Sequence, residues 1–120
     1  RYLRSDHYLD AISNVAEIFP NRNRSDGYHY VIDFDLKELR MLKVKERVVP
    51  FSNIQVYPGR FPSTAQVPFH LATLNETLGF LLGLRYSTGK PYQLLIEIKI
   101  PEYYTALNRS VSKILLDTLQ

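Results

Sequence analysis

Residues 92–100, Tyr-Gln-Leu-Leu-Ile-Glu-Ile-Lys-Ile, constrain this chain more than any other stretch. Nine residues rich in leucine and isoleucine and closed by Pro101 have the length of a strand rather than a helix. Side chains alternate across a strand, so Leu94, Ile96, Ile98 and Ile100 share one face while Leu95, Glu97 and Lys99 share the other. The second face turns from apolar to charged only at its C-terminal end, as happens where a strand of a barrel or parallel sheet opens into a site. A carboxylate there binds a hard metal ion, and an ammonium beside it neutralises a phosphate. An ordinary amphipathic strand with Glu97 and Lys99 weakly paired in solvent gives the same pattern, so the alternation by itself leaves both readings open.

Helix signals lie on both sides. Thr73 and Glu76 form a capping box ahead of Leu74, Leu78, Leu81 and Leu82 with Phe80, predicting an amphipathic helix that ends near Gly83 or Gly89. Beyond Pro101, Val111, Ile114, Leu115 and Leu119 recur at helical spacing behind Asn108 or Ser110 as cap. Helix, strand, helix is the repeat of an α/β protein with a parallel sheet. Residues 1–72 read differently, as a long loop-rich region with short elements. Asp35 and Glu38 signal one short helix carrying Leu36, Leu39, Met41 and Leu42, and Tyr57-Pro58-Gly59-Arg60-Phe61-Pro62 bars both helix and regular strand. The division expected is therefore 1–72 and 73–120.

Composition narrows the class. With 45% hydrophobic and 22% charged residues, 120 residues make one globular domain or part of one. The net charge of +3 comes from 15 basic and 12 acidic residues dispersed along the chain, so no patch matches a nucleic-acid backbone. No cysteine is present, which removes disulfides and thiolate metal sites. No apolar run approaches the roughly 20 residues of a membrane helix. The chain starts at Arg1 rather than Met, which reads as an internal stretch or a processed product.

An ordered set of motifs then resembles one family. Ser5-Asp6-His7-Tyr8-Leu9-Asp10, Phe19-Pro20-Asn21-Arg22, Ile32-Asp33-Phe34 with Leu36-Lys37-Glu38-Leu39, and Val56-Tyr57-Pro58-Gly59-Arg60-Phe61-Pro62 come first. Thr73-Leu74-Asn75-Glu76, Gly83-Leu84 with Ser87-Thr88-Gly89-Lys90, and Glu97-Ile98-Lys99 with Pro101 follow. Their order and spacing resemble an internal stretch of the long, bacterial type of glycerophosphodiester phosphodiesterase. The resemblance implies part of a TIM (β/α)8 barrel, incomplete in this chain, with residues 1–72 as the family's inserted region. It implies a divalent cation, Ca2+ or Mg2+, with Glu97 as a metal ligand and Lys99 facing the phosphate. The substrate implied is a small glycerophosphodiester, split into glycerol phosphate and an alcohol. A periplasmic or secreted location is compatible with the resemblance, and oligomeric state is not implied.

Departures from the family pattern are as specific as the matches. The His-Arg-Gly and Glu-x-Asp motifs would precede residue 1, and Ser5 occupies the position of a catalytic histidine. A serine has no group titrating near neutral pH and does not replace imidazole as a proton shuttle. His7, two positions on, would displace the imidazole by several Å. The chain alone is therefore expected to be inactive, and a catalytically silent binding module is the alternative for the whole protein. His29 and His70 match no functional position and are expected at the surface or in packing. Arg60 either meets a phosphate or anchors its loop on backbone carbonyls. Tyr103 and Tyr104 either line the site or pack under the next helix.

Overall fold

The computed structural model describes residues 8–47, 49, 54–60 and 69–120. It divides into two units, Arg1–Leu71 and Ala72–Gln120.

Unit 1 is built from short pieces: helix α1 (Val15–Ile18), a 3-10 turn (Val31–Asp33) and helix α2 (Leu36–Met41). The Asp35 box forms as its sequence predicts. Asp35 Oδ1 accepts the Glu38 N–H at 2.8 Å, and Glu38 Oε2 accepts the Asp35 N–H at 2.9 Å, so two otherwise orphaned donors are satisfied together. α2 stops at Leu42, whose backbone is already extended. Between these pieces the chain is tied by isolated antiparallel bridges, Tyr8 with Tyr30 and Ser13 with Val44. Lys45 N–H donates to the Ile12 carbonyl at 2.8 Å and Val44 N–H to the Phe69 carbonyl at 2.7 Å, so backbone groups find partners without a regular sheet.

These ties bring Leu9, Val15, Phe34 and Leu42 into one buried cluster, against which Phe19, Val31, Leu39 and Leu71 pack. Burial of each such side chain contributes about 1.5–3 kcal/mol. That is what holds a unit with so little helix together. Ser13, buried beside the cluster, is satisfied by donating to the Leu9 carbonyl at 2.7 Å.

Unit 2 holds the longer helices: α3 (Leu74–Thr88), α4 (Pro101–Ala106) and α5 (Val111–Leu119). Thr73 and Glu76 make the second capping box, Thr73 N–H donating to Glu76 Oε2 at 2.8 Å. Of the two glycines named as possible ends, Gly83 lies inside the helix, and Gly89 closes it with φ 67, a conformation cheap only for a residue without Cβ. Leu74, Leu78, Leu81 and Leu84 form a half-buried stripe. Pro101 opens α4, where its missing N–H costs nothing, and Ser110 caps α5 by accepting the Lys113 N–H at 3.2 Å. α4 and α5 pack together. No residue of unit 2 is buried.

Residues 92–100 depart from the expected helix–strand–helix. They carry no helix and pair with no strand, and among the described residues no sheet forms at all. Among the described residues the structure is mostly helical and irregular, and it does not show the part-barrel expected for this chain. The reason lies in the nature of strands: a helix satisfies its backbone from within its own segment, whereas a strand needs the N–H and C=O groups of neighbours. A barrel strand with no flanking strand has no ladder to join.

Candidate functional site

Glu97 and Lys99 lie near the end of this irregular segment. The period of two survives in exposure from Ile96 onward: Ile96, Ile98 and Ile100 are half-buried and Glu97 and Lys99 between them are exposed, whereas Leu94, expected on the isoleucine face, is exposed as Leu95 is. Sharing a face at i and i+2, the two charged side chains meet, with Lys99 Nζ 2.7 Å from Glu97 Oε1. Their side chains are 46% and 70% exposed respectively, so the pair stabilises the chain by no more than about 1 kcal/mol. Immediately after Lys99 the backbone turns: Ile100 takes φ 45, a left-handed conformation rare for a β-branched residue, and Pro101 starts α4. A carboxylate and an ammonium thus converge at the last extended residues before a sharp bend.

A hard cation takes six or more oxygen ligands, and Glu97 offers one carboxylate. Among the described residues no group of three or more His, Asp or Glu side chains gathers to hold a metal. Glu97 has the right donor chemistry for a single ligand of a larger set. Ser5, Asp6 and His7 lie outside the described residues, as do Phe61 and Pro62.

The histidines divide. His29 is 3% exposed and is gripped on every polar edge. Its Nδ1 is 2.7 Å from Asp10 Oδ1, its Nε2 is 2.9 Å from the Phe19 carbonyl, and its backbone N–H donates to Asp10 Oδ2 at 2.8 Å. With both ring nitrogens engaged it pins residues 10, 19 and 29 together and offers nothing to a substrate. The expectation of a packing role for His29 is met, but its partner Asp10, nineteen positions away, has no local sequence signal. His70 is exposed and places Nδ1 2.8 Å from the Leu42 carbonyl.

A charged network that sequence reading did not identify surrounds this pin. Arg22 donates to Glu38 Oε1 at 2.7 Å and to the Asp33 carbonyl at 2.5 Å, and its guanidinium lies 4.7 Å from the centre of the Phe34 ring. That hydrogen bond, with the Asp35 backbone N–H, holds the Glu38 carboxyl below its usual range. Arg24 grips Asp33 with two hydrogen bonds of 2.7 Å and depresses its carboxyl in the same way. The Tyr30 phenol is pushed up by its hydrogen bonds with Tyr8 and with Asp26. Tyr8 stacks on Tyr28 at 4.4 Å, which leaves no slot between the rings for a ligand.

Tyr103 and Tyr104 sit in α4 with their rings edge to face at 5.3 Å, and burial pushes the Tyr104 phenol up. Among the described residues Arg60 does not anchor its loop on a backbone carbonyl. Its Nε lies 3.5 Å from Glu46 Oε2 and its guanidinium 4.2 Å from the centre of the Tyr57 ring.

No family model matches the chain. Two relatives do. A protein of Haemophilus influenzae named glycerophosphodiester phosphodiesterase is 38% identical over 117 residues, covering 96% of this chain and 32% of its own length. A protein of the same name from Treponema pallidum is 36% identical over 116 residues, covering 95% of this chain and 32% of its own. The chain thus spans about a third of the length of the relatives it matches.

Proposed function

Because the chain belongs to the glycerophosphodiester phosphodiesterase family, we propose that the protein it forms part of hydrolyses glycerophosphodiesters to glycerol phosphate and an alcohol. The observation that carries this reading is identity sustained across almost the whole chain, which covers the Tyr-Pro-Gly-Arg-Phe-Pro and Glu-Ile-Lys-x-Pro motifs together. In that protein residues 92–100 would serve as a barrel strand, joined to flanking strands.

A bound Ca2+ or Mg2+ would supply Lewis-acid polarisation of a phosphoryl oxygen. Toward it this chain contributes the Glu97 carboxylate. Lys99 contributes an ammonium for a non-bridging phosphate oxygen, where it would offset charge that grows as the phosphorus is attacked. The 2.7 Å pair supports the assignment in one respect: each group is already held where the other's charge is felt, and both are accessible. On this reading Glu97 would help to hold the cation and Lys99 would face a phosphate oxygen in place of Glu97. Neither group moves a proton. His29, with both ring nitrogens engaged, does not either.

The full-length protein carrying Glu97→Gln is expected to lose metal-dependent release of glycerol phosphate, and turnover at the parental rate would defeat the role given to Glu97. Ser5, standing where the family has a catalytic histidine, favours a second reading in which the whole protein binds phosphodiesters without cleaving them. Binding of a glycerophosphodiester by the unaltered full-length protein, with no product over long incubation, would select that reading.

A further inference from the structure

The loop that carries Arg60 is folded to present it. Tyr57-Pro58-Gly59-Arg60 is a turn in which Arg60 N–H donates to the Tyr57 carbonyl at 3.3 Å, with proline second and glycine third. Gly59 takes φ 81, the value a type II turn demands at its third residue. The turn sets Tyr57 beside Arg60, and the guanidinium lies 4.2 Å from the centre of the phenol ring. The neck of the same loop is tied by Val56 N–H to the Arg47 carbonyl at 2.9 Å and Val49 N–H to the Ile54 carbonyl at 2.9 Å.

Behind Arg60 stands Glu46, whose side chain is 3% exposed. Its Oε1 accepts the Arg47 N–H at 3.0 Å, but its Oε2 is buried without a hydrogen bond. Buried carboxylates are ordinarily fully satisfied, so this arrangement calls for a reason. The Arg60 Nε lies 3.5 Å from that oxygen, close enough for attraction and too far for a hydrogen bond. Were Arg60 only a latch for Glu46, a bidentate contact at about 2.8 Å would serve both groups better. Instead the side chain remains 51% exposed, and its Nη1–Nη2 edge hydrogen-bonds to nothing among the described residues.

We infer that Glu46, Tyr57 and Arg60 form an oxyanion site of unit 1, in which Arg60 offers its Nη edge to two oxygens of a phosphate group. Glu46 draws Nε inward and Tyr57 fixes the guanidinium plane, so little side-chain freedom is lost when the anion binds. A planar fork matches two phosphate oxygens, which a lysine's point charge does not. The inference rests on the geometry of unit 1 and is independent of the hydrolytic reading.

The test is a titration of the whole 15N-labelled chain with inorganic phosphate and, separately, dimethyl phosphate at fixed ionic strength, reading the arginine Nε–H signals. A saturable shift at Arg60, with Arg85 and Arg109 unmoved, is expected. Arg60→Lys, which lacks that signal and is followed through the backbone amides of Tyr57 and Gly59, should weaken binding about tenfold despite keeping the charge, and Glu46→Gln by about threefold through loss of orientation. Saturation by both probes assigns the site to the edge shared by phosphate mono- and diesters; saturation by inorganic phosphate alone assigns it to the free anion. Equal shifts at all arginines, no saturation, or undiminished affinity in Arg60→Lys would overturn the inference. If either variant loses the dispersed signals of unit 1, the unaltered chain decides: a saturable shift confined to Arg60 supports the site, and its absence sinks it.

Discussion

Unit 1 and unit 2 invert the usual relation between regular structure and burial. Unit 2 has the longest helix, two satisfied caps and a left-handed glycine stop, yet buries no residue. Unit 1 has helices of four and six residues, yet contains Leu9, Val15, Phe34 and Leu42 in a closed cluster. The difference teaches that helix formation and core formation draw on different information. Capping and helical spacing act within a few residues, so α3 forms wherever Thr73 and Glu76 are correctly placed. A core needs segments far apart in sequence to meet. In unit 1 that meeting is arranged by side chains: His29 against Asp10, Arg22 against Glu38, Arg24 against Asp33. In unit 2 Leu95, 97% exposed, and Tyr86, 80% exposed, have no such partner.

The comparison breaks most readily at the core. Leu42→Ala should destabilise unit 1 by about 2–5 kcal/mol, since a fully buried side chain leaves a cavity. Leu95→Ala in unit 2 should change stability by less than about 0.5 kcal/mol. Urea unfolding followed residue by residue through amide signals would compare them, and equal losses would erase the contrast between the units.

A smaller effect is expected at the pin. His29→Ala should cost about 1–3 kcal/mol, because Asp10 and the Phe19 carbonyl would lose their partner. The loss should appear as faster amide exchange at Leu9 and Leu42 while α3 is unaffected. Faster exchange along α3 alone would show that His29 does not organise unit 1.

The smallest effect is electrostatic. Arg24 holds the Asp33 carboxyl below its unfolded value, so the pair's contribution is complete above the unfolded carboxylate pKa and is lost as pH falls through the lower, folded one. The pair is partly exposed, which limits the contribution to about 1 kcal/mol or less. Arg24→Met should flatten that part of the acid limb of unit 1 stability, and an unchanged limb would remove Asp33 from the account.

How far the sequence could be read follows the same division. Both capping boxes, the cap at Ser110 and the alternation around Glu97 are local, and each is present where its residues predict it. The predicted strand was legible as an alternation but not as a ladder, since pairing depends on neighbours no pattern within nine residues contains. The partnership of Glu97 with Lys99 followed from their spacing. That of Arg60 with Glu46 did not, because the two are too far apart in sequence for any local pattern to bring the guanidinium to a buried carboxylate.

By itself, then, the sequence determined the helix starts and stops, the face on which Glu97 and Lys99 project, and the family. Tertiary structure alone decided which apolar side chains became a core, that His29 would be locked between Asp10 and a carbonyl, and where Arg60 would point. The physical reason is range: hydrogen bonds within a helical turn are specified by adjacent residues, whereas burial and long-range pairing exist only after the chain has closed its loops.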